Sequence, residues 1–197
     1  MTDKKPSTQE AILLATIDCI NENGLEHLTT RMIAEKAGAN IASINYYFRT
    51  KEILVNQALE ITIKHMLEDV NETVTKEDLG FREILQDVLY YLISGASKNM
   101  GISSAHLYRL VIDKDYDSIS AISFLTAFNT LLDRAVTNFP DHDHDKLRRV
   151  LASIFSSIMF MMLTPFFFQL KEEKRLSEEA FHQEMAKHYT EMFYSMM

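Results

Sequence analysis

The sequence predicts an all-α protein: an N-terminal three-helix unit containing a helix-turn-helix, followed by a helical bundle. Three observations predict it. The chain of 197 residues holds only 5 Gly and 3 Pro, so few positions interrupt a helix. The long segments between them are rich in Leu, Ile, Ala, Met, Glu and Lys, which lose little freedom on entering a helix. No stretch sustains the two-residue alternation of a half-buried strand.

Each element follows from local signals. Ser7 and Thr8 offer N-caps for a first helix, whose apolar positions Ile12, Ala15 and Ile20 face inward and which Asn23-Gly24 stops. Thr29 is the expected N-cap of a second helix, with Ile33, Ala34 and Ala37 on its buried face. Gly38 ends that helix after about two turns. Asn40 caps a third, short helix running to Phe48. Thr50 caps a fourth, which starts Lys51-Glu52-Ile53-Leu54 and continues its apolar spacing through Leu59, Ile63 and Met66. Five more helices are expected, over residues 77–98, 104–112, 118–139, 145–170 and 178–196. Pro140 stops the third of these, and Asn99-Met100-Gly101 is expected as the break after the first. The domain boundary falls at residue 51, giving a head of residues 1–51 and a body of residues 52–197.

Composition narrows the function. The chain is 47% hydrophobic, enough to bury a core. The single cysteine, Cys19, excludes an internal disulfide and a cysteine-based zinc finger. The N-terminus is polar, with no apolar signal-peptide region, and a cytoplasmic location is expected. The net charge of −8 argues against non-specific coating of nucleic acid. Its distribution matters more. Residues 1–51 carry six Lys/Arg and six Asp/Glu, so the whole −8 lies beyond them. A neutral head on an acidic body permits contact with DNA at the head only.

A short helix, a tight turn at Gly38 and a second short helix make a helix-turn-helix. Its second helix must present short polar side chains to base edges in a major groove. Ala42 and Ser43 are small enough for close approach, Ser43 and Asn45 can hydrogen-bond, and Tyr46 and Tyr47 offer hydroxyls and ring faces. Thr30 sits at the start of the second helix, where a hydroxyl and free N–H groups meet phosphate. Ile44 and Phe48 point into the small core.

Here the chain resembles the TetR family of transcription regulators. The resemblance is carried by Ile33-Ala34-x-x-Ala37-Gly38, Tyr46-Tyr47-Phe48 and Lys51-Glu52-x-Leu54, which occur in order over roughly residues 8–55. Ile41 departs from the pattern, where members often carry a polar or basic residue. The resemblance implies a homodimer bound to a near-palindromic operator, with DNA contacts at Thr29, Thr30, Arg31, Asn40, Ala42, Ser43, Asn45, Tyr46, Tyr47 and Lys51. Lys51 looks like the family's phosphate anchor. The resemblance also implies a body that takes a small-molecule effector and forms the dimer, most often to repress a gene.

Within the body, eleven Met and twelve Phe fit an adaptable apolar cavity. Met66, Tyr90, His106, Tyr108, Arg109, Phe124, Phe128 and Met162 are its candidate walls. The acidic body favours a neutral or cationic effector, and Arg109 is the exception that could pair with a carboxylate. Ala152, Ser153 and Ser156, with Met159 and Phe160, form a stripe suited to close helix contact. Phe181, Met185, His188, Tyr189, Met192 and Phe193 form another, and both are expected at the subunit interface, with packing inside the chain's own core as the alternative. Residues 150–170 hold no charge over 21 positions, long enough to span a membrane. Their serines, Thr164, Gln169 and Pro165 favour a buried dimer core instead.

Asp141-His142-Asp143-His144-Asp145 contains metal-ligand residue types. Adjacent loop residues cannot all converge on one ion, so a helix-capping loop is expected, with His144 or Asp145 as the cap. No metal, cofactor or catalytic residue is expected. The chain lacks a phosphate loop, a Gly-x-Ser-x-Gly elbow and a His-Glu-x-x-His pair. The alternative is an adaptor whose helix-turn-helix binds protein; such a head would not need Thr30, Tyr47 and Lys51 arranged for phosphates.

Overall fold

A computed structural model describes residues 6–167 and 177–197; the side chains of Met162 and Pro165 lie outside the described residues. The helices are α1 (Thr8–Asn23), α2 (Thr30–Lys36), α3 (Ile41–Phe48), α4 (Lys51–Val74), α5 (Phe81–Lys98), α6 (Met100–Val111), α7 (Ile119–Asn138), α8 (His144–Leu163) and α9 (Glu179–Met196). No strand occurs among the described residues.

The head forms as its caps dictate. Ser7 and Glu10 close a reciprocal capping box on α1, and Gly24 ends it at φ 77°, a conformation that costs glycine little. Thr29, Asn40 and Thr50 each cap the helix that follows.

Two apolar cores organise the chain. The first joins Ile12, Ile20, Leu28, Ile33, Ile44 and Phe48 of the head to Leu54 and Leu59 of α4 and Ile102 of α6. The second joins the far end of α4 to α5, α7, α8 and α9. Helix α4 therefore lies in both cores.

The body departs from expectation at four points. Helix α5 starts four residues later than residue 77, where the Gly80 N–H donates to Glu83 Oε2 at 2.9 Å. Helix α6 starts four residues earlier than residue 104, and Gly101 lies inside it. That glycine is not a stop. A methyl in its place would lie 2.4 Å from the Ile20 carbonyl oxygen and 2.6 Å from the Asn21 Cα. Its N–H also donates to Asn21 Oδ1 at 3.1 Å. Gly101 is thus the point where α6 meets the end of α1.

The third departure is α8, which ends at Leu163 and passes into a single 3-10 turn at Pro165–Phe167. Proline lacks the N–H that would continue the helix and disfavours α geometry in the residue before it. Beyond Phe167, the expected helix lies outside the described residues. No helix among the described residues is long and apolar enough to cross a membrane. Fourth, the acidic loop caps α8 through Asp143, not His144 or Asp145: its carboxylate accepts from the Asp145 N–H at 2.9 Å. Asp143 also pairs with Arg149 at 3.5 Å, and His142 stacks edge-on against Phe139. No three His, Cys, Asp or Glu among the described residues are placed to hold one metal ion.

Candidate nucleic-acid interface and effector cavity

Helix α3 is amphipathic at one-turn scale. Ile44 and Phe48 are buried, which turns Ile41, Ala42, Asn45 and Tyr46 outward. Tyr46 is 80% exposed and Tyr47 41%, their rings edge-to-face at 5.1 Å. An aromatic this exposed contributes little to the fold and is available to a partner. Asn45 is exposed as well.

The other head residues divide into framework and free groups. Thr29 Oγ1 accepts from the Met32 N–H at 3.2 Å. Asn40 Oδ1 accepts from the Ser43 N–H at 2.7 Å and from the Ser43 hydroxyl at 3.0 Å. Thr29, Asn40 and Ser43 thus use part of their capacity to fix the ends of α2 and α3. Thr30 is half-buried, and Arg31 is exposed on α2. Lys51 Nζ donates to the Leu28 carbonyl at 2.8 Å, tying the start of α4 to the residue before Thr29.

Sequence reasoning missed Arg49. It caps α3 at φ 61°, a backbone region that costs a residue with a Cβ about 1–2 kcal/mol. It is exposed and makes no ion pair with a described residue. The signal was present: a helix stop after Phe48 with no glycine to make it.

Two neighbouring cavities lie between α4, α5, α6, α7 and α8, apart from a more open groove of about 610 Å³ between α5 and α9. One, of about 270 Å³, is lined by Ile17 of α1, Thr62 and His65 of α4, Tyr91 of α5, and Ser103 and His106 of α6, among others. The second, of about 320 Å³, lies between α7 and α8 and is bounded by Phe128, Phe155 and Ile158. Met66, Leu92 and Phe124 line both. Ala152, Ser156 and Met159, expected at the subunit interface, form the α8 edge of the second cavity.

His106 is the best-anchored polar group here. It is 4% exposed. Its Nδ1 lies 2.7 Å from Ser120 Oγ on α7 and its Nε2 lies 3.0 Å from Thr62 Oγ1 on α4. The Thr62 hydroxyl already donates to the Leu59 carbonyl. Its oxygen must then accept, which puts the imidazole proton on Nε2 and makes Nδ1 the acceptor from Ser120. Burial pushes the His106 pKa down to about 4, so the ring is neutral near pH 7. One imidazole thereby joins α4, α6 and α7.

Of the other expected walls, Met66, Phe124 and Phe128 line the cavities. Three do not. Tyr90 lines neither of these two but a separate groove between α5 and α9, where it donates to Glu179. Tyr108 is 38% exposed. Arg109 pairs with Asp115 at 2.9 Å and donates to Asn56 on α4, so its charge is met inside the chain. The Met162 side chain lies outside the described residues.

The expected interface stripes are partly corrected. Phe181 and Tyr189 are buried within the chain's own second core, because α9 packs along α5. Ser153, Phe160 and His188 are exposed, and Ala152, Met159, Met185 and Met192 are half-buried.

Residues 12–58 match the sequence profile described as bacterial regulatory proteins, tetR family. The tetracycline repressor protein class A from transposon 1721 of Escherichia coli is 31% identical over 85 residues, 43% of this chain and 37% of that protein. The HTH-type transcriptional regulator BetI of Yersinia pestis is 29% identical over 68 residues, 34% of each chain. The matches thus span about a third of these relatives, and the family profile falls on the head and the start of α4. Over nearly the whole chain the likeness is one of fold. A transcriptional regulator from Rhodococcus superposes with a TM-score of 0.72 at 16% identity, covering 96% of this chain and 97% of that one. FadR of Bacillus subtilis, solved in complex with stearoyl-CoA, superposes at 0.71 with 18% identity over 95% and 98%. All of these relatives are regulators.

Proposed function

We propose that the chain is a member of the tetR family of bacterial regulatory proteins, whose profile its residues 12–58 match, and that it is an effector-responsive repressor acting as a homodimer on a near-palindromic operator. The observation that carries this is the outward face of α3. Ala42, Asn45 and Tyr46 project from a helix locked by Ile44, Phe48 and the Asn40 cap. In a dimer, two such helices enter successive major grooves about 34–36 Å apart. Asn45 is suited to base edges, and the tyrosine hydroxyls, Thr30 and Arg31 to phosphates. Lys51 would join them from the head of α4. The exposed and half-buried residues of the α8 and α9 stripes supply the subunit face, Phe160 and Met192 among them.

Effector response is supported by the cavities and by the stearoyl-CoA held by the FadR neighbour. Helix α4 begins beside the recognition helix and passes the cavity at Thr62 and Met66, so it is one lever. The seating of Gly101 on α1 is another. A ligand acts through either only by binding one arrangement of the heads better than the other.

The test is titration of the purified protein onto DNA from upstream of its own gene across a salt series. Tight binding is expected, weakening steeply with salt at about 0.9 decades per decade for each phosphate contact. Tyr46→Ala and Lys51→Ala should both weaken it. Absence of specific sites in a genome-wide pull-down would refute the reading and favour a protein-binding adaptor. A small-molecule fraction of cell extract that releases the operator would establish effector response.

Arg49→Gly separates binding from folding. It removes a strained φ and adds unfolded-state freedom, so stability should change by less than about 1 kcal/mol. The log–log salt slope should fall by about one, the loss of a single phosphate contact. An unchanged slope would exclude Arg49 from the DNA surface.

A further inference from the structure

The two body cavities differ in character but share a wall. The one beneath α1 has a polar end, with Thr62, Asn99, Ser103 and His106 among its walls. The one between α7 and α8 is lined almost wholly by hydrocarbon and aromatic rings. The shared wall contains Met66, whose unbranched thioether chain rearranges at little cost. Each cavity alone is near the lower limit for a small-molecule site, about 300 Å³. Moving that shared wall aside would join them into one elongated channel.

No Asp, Glu, Lys or Arg lines either cavity. Arg109, the basic residue singled out from the sequence, lines neither cavity and is held by Asp115 and Asn56. At the polar end two lining side chains make no side-chain hydrogen bond to a described residue: His65, which is exposed, and Ser103. Both ring nitrogens of His106 are engaged, and the Tyr91 hydroxyl donates to Asp69. Ser103 is half-buried and makes no side-chain hydrogen bond to a described residue. A charged ligand group drawn into the channel away from the exposed His65 would therefore meet no carboxylate, lysine or arginine, and an unpaired charge is costly to bury. A single neutral hydroxyl or carbonyl would find a partner in Ser103.

Resting on the reading of the body as an effector site, we propose that the channel selects uncharged, elongated amphiphiles. Their hydrocarbon tail lies between α7 and α8, and one neutral hydrogen-bonding head lies beside Ser103. Gly95 faces the polar cavity from α5, and a Cβ there would meet nothing within 4 Å. A larger side chain at Gly95 therefore enters open channel and not neighbouring backbone.

Dodecanol, dodecanoate and dodecylamine share one tail and differ in head charge at neutral pH. Their binding to the full chain is measured by calorimetric titration and thermal melting. Dodecanol is expected to bind saturably, at least about a hundredfold tighter than either ion. Gly95→Leu should abolish its binding while leaving the unassisted melting temperature no lower. Dodecanoate or dodecylamine binding as tightly as dodecanol would overturn the charge selection. Dodecanol binding unaltered by Gly95→Leu would overturn the location. Failure of all three to bind would overturn the ligand class, and operator release by the small-molecule fraction would then show whether the effector reading survives.

Discussion

Gly101→Ala is expected to lower the unfolding free energy by about 3 kcal/mol, the upper end of overpacking costs. For a chain of this size that is a drop of roughly 6–12 °C in melting temperature. The added Cβ would meet the Ile20 carbonyl oxygen at 2.4 Å, the Asn21 Cα at 2.6 Å and the Asn21 oxygen at 2.7 Å. All three are backbone atoms, so no side chain can swing away; α1 and α6 must part. Parting them also strains the bond from the Gly101 N–H to Asn21 and uncovers Ile102 in the head core. Gly95→Ala is the control. It meets open space, and alanine is favoured over glycine within a helix by about 0.5–1 kcal/mol. The two substitutions, six residues apart, should move stability in opposite directions. Equal effects of the same sign would refute the close seating of α6 on α1.

The second large effect is on pH dependence. The His106 pKa is held at about 4, below the 6.5 of a free histidine. Between those values the unfolded chain takes up a proton that the native site refuses. This group's contribution is complete above about pH 7 and is lost as pH falls through 6.5 toward 4, to a total of about 3 kcal/mol. Denaturant titrations at several pH values check it. The stability of His106→Gln, whatever its absolute value, should fall less steeply over that window. Parallel profiles would mean that the imidazole is no more shielded in the native chain than in the unfolded one.

What the sequence disclosed was what is local. Thr29, Asn40 and Thr50 announce three helix starts because a cap needs only its own side chain and an N–H up to three residues on. Ile44 and Phe48 announce the buried face of α3 by spacing alone. Gly101 misled because its role depends on α1, about 80 positions earlier, and helix propensity treats any glycine as a stop. Tyr108 and His106 are two residues apart and so about 200° apart around the helix; without knowing the facing helices, neither could be preferred as a wall. Phe181 and Tyr189 failed for a related reason. An apolar stripe states that something covers it, and here α5 of the same chain does. Arg109 was singled out for its charge, but Asp115, six residues ahead, neutralises it only because the turn after α6 folds back.

The first core has a consequence for how such a chain can change over time. Leu54, Val55 and Leu59 of α4 and Ile102 and Ala105 of α6 complete the apolar interior beneath α3, although all five follow the boundary that the motif suggests. A head excised at residue 51 would leave that interior open to water. The head is therefore not a cassette that recombination can exchange freely among bodies. A transplanted head would keep the outer face of α3 but lose the packing that aims it, unless the front of α4 and the Gly101 seat travelled with it. On the function proposed above, specificity is more readily altered by point changes on the outer face of α3, at Ala42, Asn45 and Tyr46, which no core residue requires.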